Sequence, residues 1–341
     1  MTLGVADRLA RAIDWRWTRW RRRRSPRGVV LCYHRIASLA TDPQRLAVTP
    51  ADFAAQLAWL SAHTTPLALE EFSARRAAGT LPPRATAITF DDGYADNLHA
   101  AAPALAAAAL PATIFVTSGM TGVREEFWWD AVERAVLLPV VGRARWTLPA
   151  IGIDVDASGP PPAAAWCAFD PNASARTVAY RAILGALRGA SPDARDRVLR
   201  QLLDDPAVPS VRASHLPLDR DELRALAHTP RITLGAHTRT HPALAQRPYE
   251  EQRAEIAHAR DALTAIVGRP IVHAAYPFGT ADAVDRATER AAAAEGFEAG
   301  WTTDARAAWR GDRPLHLPRL VVTGGWDLAT FTARIEALFD A

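Results

Sequence analysis

The 341-residue sequence has no lysine, only two cysteines and no long apolar run. Cys32 and Cys167 are too few for a disulfide framework, which excludes a small disulfide-stabilised secreted scaffold. No apolar stretch approaches the roughly 18 residues of a membrane-spanning helix, so an integral membrane protein is not expected. A hydrophobic content of 49% excludes a fully disordered chain and suffices for one large domain or two small ones.

Basic charge is concentrated at the N-terminus. Residues 1–27 contain nine arginines and two aspartates, about +7 in charge, while the rest of the chain carries about −4. Trp15, Trp17 and Trp20 alternate with these arginines. This tail is interpreted either as a disordered solubilising segment or as an interfacial helix on an anionic membrane surface, with nucleic acid less favoured. No secretory signal is visible, so the expected location is the cytoplasm, including the inner face of the membrane.

From Gly28 onward, short apolar runs alternate with helical patterns, which is typical of β/α units and a mostly parallel sheet. Seven such strands predict an α/β fold with an irregular or incomplete barrel. Good start signals predict helices that begin at Pro50, after Thr49, and that span 218–227 and 328–339. The predicted strands are residues 28–33, 85–90, 112–117, 231–236, 271–276, 297–302 and 318–322.

The alternation of strands and helices fails between about residues 123 and 217. A proline-rich stretch at 160–162 is followed by an amphipathic pattern over 177–203 that predicts helix. We interpret residues 123–217 as a largely helical insertion, called the insertion below, within a domain that spans residues 28–341.

Two acidic residues end an apolar strand. Asp91 and Asp92 follow Phe90 and precede Gly93, which favours a turn. Because neighbouring strand residues point to opposite faces, both acids can share one site only where the strand ends. At the mouth of a parallel sheet, such a pair could divide metal binding and proton transfer. An exposed turn is the alternative.

Two histidines four residues apart follow another strand. Pro242 disfavours a helix at His241, so we place His237 and His241 on a loop. Two imidazoles and one carboxylate form a ligand set that leaves positions open on a metal, as catalysis requires. By itself, this histidine spacing also occurs by chance.

A third turn closes a strand at the same predicted edge. Pro277 and Gly279 flank Phe278 and fix the backbone there. The Phe278 N–H could therefore stabilise an oxyanion. Taken alone, this segment is a generic turn.

The motifs TFDDG, HTRTHP and YPFG, in this order, resemble those of the NodB-type polysaccharide deacetylases, carbohydrate esterase family 4. The resemblance covers about residues 28–322, with the insertion outside it. It implies an irregular (β/α)7-type barrel, the NodB-homology fold, and metal-dependent removal of acetyl groups from N-acetylated sugars. Carried over by position, it implies Asp91 as catalytic base, Phe278 as backbone oxyanion donor, and as metal ligands Asp92, His237 and His241.

Two positions depart from the pattern of this family. Its usual arginine before the prolines is replaced by Ala275, and Arg319 is a candidate substitute that would orient Asp91. The counterpart of its C-terminal general acid, His316, precedes a predicted strand and would lie at the wrong edge. His34 ends a strand at the right edge, which resembles the permuted subgroup that deacetylates extracellular poly-N-acetylglucosamine.

The resemblance thus implies a metal-dependent hydrolase that removes N-acetyl groups from an amino-sugar-containing polysaccharide, oligosaccharide or glycolipid precursor. The implied cofactor is Zn²⁺ or another divalent ion. An O-acetyl esterase or deformylase on the same fold is one alternative, and a catalytically silent glycan-binding barrel is another. The aromatic residues Phe127, Trp128 and Trp129 are interpreted as core, with stacking on sugars as the alternative.

Overall fold

The computed structural model describes residues 25–341. The predicted N-terminal tail, residues 1–27, lies almost wholly outside the described residues, and its attachment to a membrane surface stays a prediction. Among the helices of residues 25–341, none is both long enough and apolar enough to span a bilayer.

The described chain consists of a central sheet, two small two-stranded sheets and the helices around them. The strands are β1 (Arg27–Tyr33), β2 (Arg35–Ile36), β3 (Ala47–Val48), β4 (Thr65–Pro66), β5 (Ala85–Phe90), β6 (Ala112–Val116), β7 (Arg145–Leu148), β8 (Ile153–Asp156), β9 (Ile232–Ala236), β10 (His273–Ala275), β11 (Ala299–Trp301), β12 (Ala308–Trp309) and β13 (Leu320–Val321). The α-helices are α1 (Pro50–His63), α2 (Leu69–Ala78), α3 (Ala102–Ala107), α4 (Trp128–Val136), α5 (Ala175–Arg188), α6 (Pro192–Leu203), α7 (Arg220–Ala227), α8 (Tyr249–Val267), α9 (Arg286–Ala294) and α10 (Leu328–Asp340).

The nine-stranded sheet has the main order β11-β10-β9-β6-β5-β1-β12, with β13 paired to β1 and β4 paired to β5. Its strand pairs are parallel except β1 with β12. Leu317 bridges to Trp301 at one end of this order, while Leu320 pairs with Leu31 of β1. The sheet therefore curls into an irregular, partly open barrel. The predicted fold class is confirmed. Each of the seven predicted strands is present, 85–90 with the predicted ends and the others with ends that differ by up to two residues.

Strand register brings the ends of the predicted motifs together. β1 and β5 consist almost entirely of buried residues, as parallel strands covered on both faces do. They pair in parallel through Tyr33 and Phe90, so the next residues, His34 and Asp91, leave the sheet side by side. In the same way, Ala236 at the end of β9 pairs with Val116, which places His237 at this same edge.

The insertion differs from a purely helical segment. It contains α4, α5 and α6, but also an antiparallel hairpin of β7 and β8 that the sequence analysis did not predict. The helix predicted over 177–203 is two helices. α5 ends at Arg188, and α6 begins at Pro192 after an N-cap, Ser191, whose side chain accepts from the Ala194 N–H. A proline is well suited to the first turn of a helix, and this one starts the second helix.

Candidate active site

A cavity of about 90 Å³ opens at the carboxyl-terminal edge of the central strands. Six of the seven predicted site residues line it: His34, Asp91, Asp92, His237, His241 and Phe278. The seventh, Arg319, is fully buried and bonded to Asp91. The cavity wall is completed by Gln44, Leu46, Trp128, Trp129 and Thr303.

Three buried side chains in this cavity are spaced as metal ligands. The Asp92 Oδ1 lies 3.5 Å from the His237 Nε2 and 3.4 Å from the His241 Nε2. A charge-assisted hydrogen bond would bring these atoms to about 2.7–2.9 Å. Tetrahedral ligands with bonds of about 2.1 Å to a zinc ion lie about 3.4 Å from one another. The observed spacing therefore fits a shared cation better than direct hydrogen bonds.

The two histidines differ in their hydrogen bonds and in the direction of their pKa shifts. The His237 Nδ1 lies 2.8 Å from the carbonyl of Ala275, to which its N–H would donate, leaving the Nε2 lone pair for a metal. Burial lowers the pKa of His241 to about 4, so this imidazole is neutral near pH 7. Burial also acts on His237, but the carboxylates of Asp91 and Asp92 outweigh it and raise that pKa. A bound divalent ion would favour the neutral form of His237, because only a neutral imidazole is a metal ligand.

Arg319 orients the carboxylate of Asp91. Its Nη1 and Nη2 donate to the two oxygens of Asp91, each at 2.7 Å, which is a bidentate contact. Its Nη1 also donates to the Thr89 hydroxyl and its Nε to the Thr302 carbonyl, each at 3.1 Å. Burial alone would raise the pKa of Asp91, but the Arg319 guanidinium outweighs it and lowers that pKa. Asp91 is therefore an oriented carboxylate near neutral pH.

We expect Arg319→Met to shift the acid limb of the pH–activity profile to higher pH. Without the guanidinium, burial dominates and raises the pKa of Asp91, so a higher pH is needed to keep it as a carboxylate. Removing one partner of a buried ion pair should also lower the free energy of unfolding by about 3–5 kcal/mol. The pH dependence of kcat/KM and thermal unfolding measure both effects. An unchanged acid limb in a folded variant would show that Arg319 does not set the charge of Asp91.

The two candidate general acids, His34 and His316, lie in different places. His34 lies in the cavity, and one of its ring nitrogens is within 4.8 Å of a carboxylate oxygen of Asp91. Its buried Nδ1 has no hydrogen-bond partner among residues 25–341. His316 is not among the residues that line the cavity, and its Nδ1 lies 3.3 Å from the Glu289 Oε1. The structure therefore places His34, but not His316, in the wall of the cavity.

The backbone at Phe278 is held in an unusual conformation. Phe278 and Gly279 have φ angles of 63° and 65°, in the left-handed region. The Thr303 hydroxyl donates to the Phe278 carbonyl at 2.8 Å. A Cβ on Gly279 would lie 2.5 Å from the Thr303 nitrogen, so this position requires glycine. The turn is therefore fixed tightly beside the cavity.

The aromatic residues of the insertion are core residues, as predicted, but two of them also line the cavity. Phe127, Trp128 and Trp129 are all buried, and Trp129 packs on His241 with ring centroids 4.5 Å apart. The Trp129 Nε1 donates to the Tyr94 hydroxyl at 2.7 Å, which donates in turn to Asp130 at 2.6 Å. Sequence reasoning missed this chain, because its members are joined only by the fold.

A second buried group of acids and a histidine lies beside this chain. Asp130, Glu133 and His215 offer ligand atoms within 4.8 Å of one another. However, Arg212 donates to Glu133 at 3.0 Å. Burial, together with Arg35 and Arg212, lowers the pKa of His215 to about 3. Because these guanidiniums already supply positive charge, and Arg212 forms an ion pair with Glu133, we interpret the group as part of an arginine–carboxylate cluster and not as a metal site.

Comparison with known proteins places this geometry in context. A family model described as polysaccharide deacetylase matches residues 78–138 and 172–300, which leaves 139–171 of the insertion unmatched. No curated protein sequence matches the chain.

Solved structures share the fold at low sequence identity. Streptococcus pyogenes deacetylase PplD in complex with acetate is 17% identical with a TM-score of 0.58, over 91% of this chain and 99% of that one. IcaB from Ammonifex degensii is 18% identical with a TM-score of 0.57, over 92% and 97%. The BpsB deacetylase domain from Bordetella bronchiseptica is 17% identical with a TM-score of 0.52, over 87% and 96%.

Proposed function

Because this chain belongs to the polysaccharide deacetylase family, we propose that it is a divalent-metal-dependent hydrolase that removes N-acetyl groups from an amino-sugar-containing polysaccharide, oligosaccharide or glycolipid precursor. Deacetylation of a carbohydrate follows from the family. The observation that carries metal dependence is the spacing of 3.4–3.5 Å between the Asp92 Oδ1 and the two histidine Nε2 atoms.

We propose Asp92, His237 and His241 as the residues that hold the ion. Two neutral imidazoles and a carboxylate suit Zn²⁺, although other divalent ions accept the same ligands. When bound, such an ion would supply Lewis acidity, polarising the acetyl carbonyl and lowering the pKa of a water toward about 7. Three protein ligands leave a position free for water and substrate.

Asp91 would act as the general base. The attacking water must lose a proton as its oxygen adds to the acetyl carbon, and the Asp91 carboxylate lines the cavity where that water would lie. The Arg319 contact fixes its two oxygens and leaves lone pairs to accept the proton. As the carbonyl oxygen gains negative charge, the N–H of Phe278, a residue that lines the cavity, would donate to it.

His34 would act as the general acid. The carbon–nitrogen bond breaks only if the leaving nitrogen gains a proton, because an amine anion is a very poor leaving group. His34 follows β1 and lies beside the base, which follows β5. Within residues 25–341, its Nδ1 has no hydrogen-bond partner that would fix its orientation. Proton transfer from His34 to this nitrogen gives the free amino sugar and acetate.

A substrate comparison tests the acyl group and linkage. We expect the full chain to release acetate from N-acetylglucosamine oligomers, with equal amounts of new free amine. The matched substrates are an O-acetylated sugar with no amide and an N-formyl glucosamine. A larger kcat/KM for either would contradict N-deacetylation and favour the esterase or deformylase alternative. No turnover of any substrate by a metal-loaded chain would favour a silent glycan-binding barrel.

Attachment of residues 1–27 to an anionic membrane surface is proposed from the arginine and tryptophan pattern alone. Sedimentation with anionic vesicles, comparing the full chain with one that begins at Gly28, measures it. Equal partitioning of the two chains would contradict the attachment.

A further inference from the structure

The insertion lies directly against the loop that carries the proposed metal-binding histidines. The turn between α5 and α6 packs on residues 239–247, whose donors bond to two carbonyls of the turn. The Ala243 N–H donates to the Arg188 carbonyl at 3.3 Å, and the Arg247 Nη1 donates to the Gly189 carbonyl at 3.5 Å. One side chain of α6, Arg195, continues from this contact into the interior and is only 4% exposed.

The guanidinium of Arg195 joins three parts of the site. Its Nη1 donates to the Thr240 carbonyl at 2.7 Å, and its Nη2 donates to the Leu187 carbonyl at 3.3 Å. Its Cζ lies 4.8 Å from the centroid of the Trp128 ring, which lines the cavity. Thr240 immediately precedes His241, so this side chain contacts the peptide unit that leads into a proposed ligand.

This loop needs external support because its backbone is strained. Thr238 and His241 have φ angles of 62° and 57°, in the left-handed region, where residues other than glycine are disfavoured. Glu255 of α8 holds the two donors of Thr240, because its carboxylate accepts from the Thr240 N–H and from the Thr240 hydroxyl, each at 2.7 Å. Arg195 donates to the carbonyl oxygen of the same residue. Thr240 is therefore held between an acid of the barrel and an arginine of the insertion.

Packing alone does not account for an arginine at this place. Its strongest contacts are to carbonyl oxygens and an aromatic ring, and burial lowers the pKa of Arg195 to about 10. A buried cation without a bonded carboxylate is costly, and an apolar side chain of similar length is often as stable or more so. The fork of donors, however, fixes two carbonyls at once, which an apolar side chain cannot do.

We propose that Arg195 is a positioning residue that fixes the Thr240–His241 peptide and thereby directs the His241 Nε2 toward Asp92. The insertion then supports the metal-binding loop in addition to forming the cavity wall. This inference rests on the proposed function, because it assumes that Asp92, His237 and His241 bind a divalent ion.

The test measures Zn²⁺ affinity in Arg195→Met and Arg195→Lys by competition with a chromophoric chelator. We expect Arg195→Met to weaken binding about 10–100-fold, the range for groups that orient metal ligands. Arg195→Lys should fall between it and the unaltered chain, because an ammonium replaces one hydrogen bond but not the fork. The visible spectrum of the Co²⁺ form should change with the ligand geometry. Arg200→Met, on the exposed side of the same helix, is the matched control and should bind as the unaltered chain does.

The test distinguishes failure of the proposed metal site from failure of the positioning role of Arg195. If the unaltered chain binds no divalent ion, the proposed metal site is wrong and the role of Arg195 fails with it. If the unaltered chain binds Zn²⁺ and a folded Arg195 variant has the same affinity and the same Co²⁺ spectrum, the positioning role alone is overturned. Should Arg195→Met not fold, Arg195→Lys decides, since it keeps the charge and most of the buried stem.

Discussion

Asp92→Asn is expected to lose both metal binding and deacetylation. Asp92 is the only anionic member of its ligand group, and its Oδ1 faces both histidines. An amide has nearly the same shape, and asparagine tolerates the φ angle of 74° found here, so the loop should keep its conformation. Without the ion, the pKa of the attacking water would no longer be lowered, and activity should fall by about 10³-fold or more.

Metal analysis after dialysis and a deacetylation assay measure these two effects together. We expect the Asp92→Asn chain to retain less than about a tenth of the bound ion of the unaltered chain, since a ligand is lost. Asp221→Asn is the control, because that carboxylate is 90% exposed on α7 and is not among the residues that line the cavity. Full metal content in Asp92→Asn would remove Asp92 from the ligand set.

His34→Ala should lower kcat by about 10²–10⁴-fold while the metal content is unchanged. Its imidazole lines the cavity and lies near Asp91, but it is not one of the three ligands proposed for the ion. Loss of a proton donor to the leaving amine slows the chemical step without removing the ion. The expected signature is therefore a large change in kcat at constant metal stoichiometry.

His316→Ala provides the comparison for His34. His316 is partly exposed beside Glu289 and is not among the cavity-lining residues. Its replacement should keep kcat within a few-fold of the unaltered chain, as surface substitutions usually do. Two results would remove His34 from the acid role: full activity in His34→Ala, or loss of the ion along with activity.

The site was largely predictable because parallel strands share one edge. Once a strand ends at Tyr33 and another ends at Phe90, pairing in register must bring His34 and Asp91 together. The same logic placed His237, which follows β9. Short polar motifs at predicted strand ends therefore determined the location of the cavity before any side-chain contact was known.

Several short strands, the β7–β8 hairpin and the role of Arg195 could not be predicted from the sequence. β2, β3, β4 and β12 are only two residues long, below any detectable periodicity. The β7–β8 hairpin alternates buried and exposed residues in β7, but over four residues only. Arg195 could not be singled out among the many arginines of this chain, since its contacts with Thr240 and Trp128 arise only from folding.

The most direct test of a metal-dependent deacetylase is acetate release from N-acetylglucosamine oligomers by one preparation in three states. The states are the purified chain, the same chain after a chelator has removed bound ions, and that chain after Zn²⁺ is returned. Acetate release should be lost on chelation and restored when the added ion reaches one per chain, as expected for the site formed by Asp92, His237 and His241. Undiminished acetate release by the metal-free chain would contradict the account.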